Sequence, residues 1–196
     1  MDADGRGQRG HELIPVFDLD GTLLDSDAAL AEPFVALGVR REDVTFGHTL
    51  ADECRRLGIE LDAYLDHYDD AVAEPFPGVT DLLSTLDRWA VCSNKHRRSG
   101  RAELVRLGWT PEVALFADAF GGPKRLAPVV DALGLAAEQV LFVGDTEHDR
   151  RCAAAVGCPF VLAGWNERAV PASGDLIAAT PADVSSYLDR SDSAAS

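Results

Sequence analysis

Apolar residues along this chain follow two rhythms. The first is a short continuous run, Leu13-Ile14-Pro15-Val16-Phe17, closed by Asp18-Leu19-Asp20-Gly21-Thr22. It reads as a buried strand that carries its polar residues at the carboxyl end. From 27 to 74 no strand pattern occurs. Leu30, Phe34 and Leu37 recur at helical spacing and predict a helix over 28–37, with two more over 49–57 and 61–73. Glu74-Pro75-Phe76-Pro77-Gly78 is a breaker cluster and a predicted hinge. Beyond it the second rhythm begins. Helices are predicted over 80–86, 99–107, 125–133 and 150–156, and strands over 89–92, 118–120, 140–143 and 160–162. Such alternation is that of an α/β fold with a parallel sheet and crossover helices.

The polar residues that matter sit where the predicted strands stop. Asp18 and Asp20 end the first strand, and in open α/β sheets ligands bind at that end. Two carboxylates in one cleft raise each other's pKa unless a positive charge lies between them. A hard divalent cation with oxygen ligands, Mg²⁺ above all, answers that cost. An ionised aspartate is also a nucleophile able to take up a phosphoryl group. Read alone, the segment is equally a polar turn. A second strand, Val140-Leu141-Phe142-Val143, ends in Gly144-Asp145, with Asp149 four residues on, at the start of a helix where negative charge is favoured. Asp149 read alone is a helix cap. Ser93-Asn94-Lys95 ends the strand over 89–92 and offers a hydroxyl and backbone N–H groups to a phosphate. Lys124 follows Gly121-Gly122-Pro123 and read alone is a surface charge.

Taken in order, these residues resemble the four motifs of the haloacid dehalogenase superfamily, over about 13–188. Asp18-Leu19-Asp20-Gly21-Thr22 is similar to the first motif, Ser93 to the second, Lys124 to the third, and Gly144-Asp145 with Asp149 to the fourth. Phe76-Pro77-Gly78-Val79 and Ser93-Asn94-Lys95 resemble the phosphoglycolate-phosphatase-like subgroup. The resemblance implies a doubly wound, Rossmann-like parallel-sheet core over 11–26 and 75–190. It also implies a small all-α cap inserted after the first strand, over 27–74. It implies a Mg²⁺-dependent phosphatase acting on a small phosphorylated metabolite. Asp18 would be the nucleophile that becomes phosphoaspartate, and Asp20 the acid that protonates the leaving group and then activates water. Mg²⁺ would bind Asp18, the Asp20 carbonyl and Asp145, with Asp149 binding directly, through water, or by orienting Lys124. Thr22, Ser93, Asn94 and Lys124 would hold phosphate. His48, in Phe46-Gly47-His48-Thr49, stands where related caps face substrate; the alternative is a helix-start residue beside a Thr cap. A phosphomutase on the same scaffold and a non-catalytic binding or regulatory protein are the competing functions. Asp20 argues against a dehalogenase, which needs no leaving-group acid.

Composition narrows the partners. The chain has 196 residues, 46% of them hydrophobic, enough for one core and a small insertion. Its 18 basic and 33 acidic residues give a net charge of −15. Nucleic acid and anionic membranes are therefore not expected as partners. Cys54, Cys92, Cys152 and Cys158 make no zinc spacing and suit a reduced, cytoplasmic protein, with Cys92 and Cys152 as core residues. No signal-like or membrane-spanning run occurs. The termini, 1–10 and 191–196, are expected to be disordered. The pattern specifies neither the substrate nor an oligomeric state.

Overall fold

The structure is a computed structural model and describes residues 13–188. The expected disorder of 1–10 and 191–196, and the core ends at 11–12 and 189–190, lie outside the described residues.

Six parallel strands form the central sheet. In chain order they are β1 (Ile14–Phe17), β4 (Ala90–Cys92), β5 (Val113–Leu115), β6 (Val140–Gly144), β7 (Phe160–Ala163) and β8 (Leu176–Ala178). Their spatial order is β5-β4-β1-β6-β7-β8. The chain thus lays strands outward on one side of β1, then on the other. This reversal makes β1, β4 and β6 neighbours and puts their carboxyl ends around one crevice. Strands buried on both faces need apolar residues at every position, and β6 reads Val-Leu-Phe-Val-Gly, all buried. Alternate residues serve opposite faces. Phe17, Val91 and Val143 pack into one layer, and Val16, Ala90, Cys92 and Phe142 into the other.

Crossover helices α4 (Val79–Ser84), α5 (Arg97–Arg106), α6 (Ala127–Leu133) and α7 (Glu147–Val156) cover the sheet, and α8 (Ser185–Leu188) closes the described chain. Between β1 and β4 lies the helical segment. It holds α1 (Asp27–Ala36), α2 (Leu50–Leu57) and α3 (Leu61–His67), and buries its own cluster of Phe34, Val44, Cys54, Tyr64 and Leu65. The Tyr64 hydroxyl donates to the Leu30 carbonyl at 2.9 Å and ties α3 to α1. A two-residue antiparallel pair, β2 (Leu24–Asp25) with β3 (Glu74–Pro75), holds the two ends of the segment together.

Three expectations are corrected. The segment 118–120 is not a strand; a 3₁₀ turn occupies Ala117–Ala119, and the edge strand is β5, five residues earlier. The third helix stops at His67 rather than 73. There the Asp69 carboxylate accepts the Ala71 N–H at 2.9 Å, a local bond that competes with helix continuation. The breaker 74–78 begins with a strand, β3, too short to leave a period.

Candidate active site

Asp18 leaves β1 with its backbone N–H bonded to the Val143 carbonyl of β6 at 2.9 Å, so the sheet ladder itself sets its position. One carboxylate oxygen accepts the Leu19 N–H at 2.7 Å, and the other lies 2.7 Å from Lys124 Nζ. The same ammonium lies 2.6 Å from Asp149 Oδ1. Lys124 is 2% exposed, so a residue read alone as a surface charge is buried between two carboxylates. Burial, resisted by Lys124 and reinforced by Asp149 and Asp145, pushes Asp18 up to about 7. Burial opposes the Lys124 charge, yet Asp149 and Asp18 outweigh it and hold its pKa above the usual lysine value.

Asp145 follows β6. Its two oxygens accept the Thr22 hydroxyl at 3.2 Å and the Asn166 side-chain amide at 2.9 Å. Burial and the Asp149 charge push it up to about 6. Asn166 also donates to the Gly21 carbonyl at 2.8 Å, which fixes the turn after Asp20 against Asp145. That turn needs glycine. Gly21 has φ +80°, and a Cβ there would sit 2.4 Å from Asp145 Oδ2. Gly144 is required for another reason: a Cβ would meet Asp149 Cγ at 2.4 Å.

Asp149 is the third helical residue of α7. Its Oδ2 accepts from the Thr146 N–H at 3.0 Å and hydroxyl at 2.6 Å, a capping box, while Oδ1 faces Lys124. Cap and site residue are therefore the same side chain. One carboxylate oxygen from each of Asp18, Asp145 and Asp149 falls within 4.8 Å of the others, all three residues being buried. An all-oxygen donor set in which Asp18 and Asp145 have raised pKa values fits a hard divalent cation.

The remaining expected residues divide. Ser93 and Asn94 line the same cleft as Asp18 and Lys124. The Asn94 side-chain carbonyl accepts the Lys124 N–H at 2.6 Å and joins the two loops. Thr22, expected at the phosphate, is fully buried, and its hydroxyl donates to Asp145. His48 lines the cleft from the helical segment, but its Nε2 is 2.8 Å from Glu53 Oε2. Burial pushes Glu53 up, but Arg56, the Thr45 N–H and His48 outweigh it and hold it at about 2. Thr49 caps α2, so His48 is both a helix-start neighbour and a cleft residue.

Several contacts escaped the sequence reading. Lys95 lies 2.7 Å from Asp20 Oδ1 and 2.9 Å from Glu103 Oε1, and donates to the Tyr68 hydroxyl at 2.9 Å. Burial, offset by Lys95, pushes Glu103 up to about 7. Lys95 was legible as a neighbour of Ser93; Glu103, in a polar helix, carried no signal. Arg168, 2.6 Å from Asp27, also lines the cleft, with Leu30, Phe34 and Phe46.

The sequence matches the haloacid dehalogenase-like hydrolase family over residues 15–163. It is similar to a phosphoglycolate phosphatase of Xanthomonas campestris, 32% identical over 78% of this chain and 83% of that protein. Likewise it is 30% identical to one of Mesorhizobium japonicum, over 80% and 86%. The fold is similar to a solved haloacid dehalogenase-superfamily hydrolase of subfamily IA from Geobacter sulfurreducens. The TM-score is 0.64 and the identity 21%, over 91% of this chain and 97% of that one.

Proposed function

The chain belongs to the haloacid dehalogenase-like hydrolases and is a phosphatase, and from that premise we propose that it is a Mg²⁺-dependent enzyme working through phosphoaspartate at Asp18. The observation that carries this reading is Lys124, buried between Asp18 and Asp149 beside Asp145.

Asp18, Asp145 and the Asp20 carbonyl would hold Mg²⁺, with Asp149 acting through Lys124, whose ammonium lies 2.6 Å from its Oδ1. Bound Mg²⁺ supplies positive charge against the phosphoryl oxygens and the aspartates. Lys124 has three N–H groups and spends two on carboxylates, leaving one for a phosphoryl oxygen. Ser93 and Asn94 complete the phosphoryl cradle. An Asp18 oxygen attacks phosphorus as the bond to the leaving oxygen breaks, and Asp20 gives that oxygen its proton. Water then attacks phosphorus, Asp20 takes its proton, and phosphate leaves with the Asp18 carboxylate restored. The helical segment 27–74 is the cap, and its Leu30, Phe34 and His48 face the part of the substrate beyond the phosphate. Four buried, unpaired cysteines suit a cytoplasmic site of action. Among the described residues no helix is long and apolar enough to cross a membrane.

The test is phosphate release from a panel of phosphorylated metabolites with Mg²⁺. Release that stops with chelator and in Asp18→Asn is expected. Isomer formation without phosphate release would mark a mutase, and inertness toward every ester a non-catalytic protein.

A further inference from the structure

The cleft contains a second buried lysine, and its bonds differ from those of Lys124. Lys95 Nζ meets Asp20 Oδ1 at 2.7 Å, Glu103 Oε1 at 2.9 Å and the Tyr68 hydroxyl at 2.9 Å. An ammonium has three N–H groups, and three acceptors use all of them. None remains for a phosphoryl oxygen, so Lys95 cannot duplicate Lys124 without breaking a bond. The side chain is 2% exposed and Glu103 is fully buried, so water does not compete for that pair, while Asp20 stays partly exposed to the cleft. Tyr68 in turn donates to Glu103 Oε1 at 2.6 Å, closing the network.

The three partners come from three parts of the fold. Asp20 stands on the loop after β1, Glu103 on α5, and Tyr68 directly after α3 at the end of the helical segment. We propose that Lys95 is a positioning residue for Asp20, and that Tyr68 makes this positioning depend on the seating of the helical segment. The proposal rests on the phosphatase reading, in which Asp20 is the leaving-group acid. With Oδ1 held by Lys95, Oδ2 is the oxygen left to carry the proton. As the phosphorus–oxygen bond breaks, its electron pair stays on the leaving oxygen and the Asp20 proton moves there. The carboxylate so formed already lies against an ammonium. A carboxyl free to rotate would spend part of its time out of reach of the leaving oxygen, and fixed orientation removes that loss. Through Tyr68, a displaced helical segment would loosen Lys95 and, with it, the acid.

Leaving-group chemistry separates this role from a structural one. An alkyl phosphate needs protonation of its leaving oxygen, whereas 4-nitrophenyl phosphate hardly does. Lys95→Met should lower kcat/KM for the alkyl ester about 10- to 100-fold more than for the aryl ester, within what a positioned acid contributes. Tyr68→Phe, which removes one hydroxyl and keeps the ring, should change the ratio the same way by a smaller factor. In an Asp20→Asn background, Lys95→Met should change the ratio no further. Equal losses on both esters, or an added change of ratio without the Asp20 carboxylate, would overturn the proposal. If thermal unfolding shows that Lys95→Met does not fold, Tyr68→Phe decides alone, and an unchanged ratio overturns it. A wild-type protein that releases phosphate from neither ester overturns the phosphatase reading itself, a result distinct from equal losses in an active enzyme.

Discussion

Asp18→Asn should separate stability from function at one atom. The aspartate has an ordinary value of 3.8 and is raised to about 7 in the fold. A raised folded-state value means that the contribution of the group is fully present below about pH 4 and is lost as pH rises through about 7. The distance of roughly three pKa units corresponds to about 4 kcal/mol. Asparagine mimics the protonated form and still accepts the Leu19 N–H, so it escapes that loss. In chelator the variant should match wild type near pH 4 and gain up to about 4 kcal/mol by about pH 8. For a domain of this size that is on the order of 10 °C in Tm. Saturating Mg²⁺ should narrow the gap, because wild type keeps a ligand that the variant has lost. Turnover should fall to background under all conditions. Thermal unfolding across pH, with chelator and with Mg²⁺, reads every arm. A variant no more stable than wild type at about pH 8 in chelator would refute the claim that Asp18 is a buried charge awaiting a cation.

Lys124→Met should lower kcat/KM for all phosphate esters by a similar factor, worth on the order of 2–4 kcal/mol of transition-state stabilisation; a steady-state panel checks this, and strongly ester-dependent losses would contradict it. His48→Ala should reorder the substrate ranking with little effect on a minimal aryl phosphate. A uniform loss across the same panel would instead assign His48 to supporting Glu53.

The helix–strand alternation after Pro77 carried the parallel sheet, because strands buried on both faces leave unbroken apolar runs such as 140–143. Other short elements left no such mark: β2, β3 and the edge strands β5 and β8 are too short or too exposed for a period to register. At the site, aspartates at strand tips were legible because a strand's end is fixed by its apolar run. Lys124 and Asp149 were legible as site residues only in company, since read alone they are a surface charge and a helix cap. Their pairing joins the loop before α6 to the start of α7, 25 residues apart in the chain. Glu103 and Tyr68 reach Lys95 by tertiary packing alone, and nothing in their own segments marks them as buried.

Hydrolysis of an isotopically chiral phosphate monoester tests the central claim, because stereochemistry counts displacements at phosphorus. Attack by Asp18 followed by attack by water is two in-line displacements and leaves the phosphate with retained configuration. Retention is the expected result. Inversion would mean that water attacks the ester directly, and would contradict Asp18 as the nucleophile.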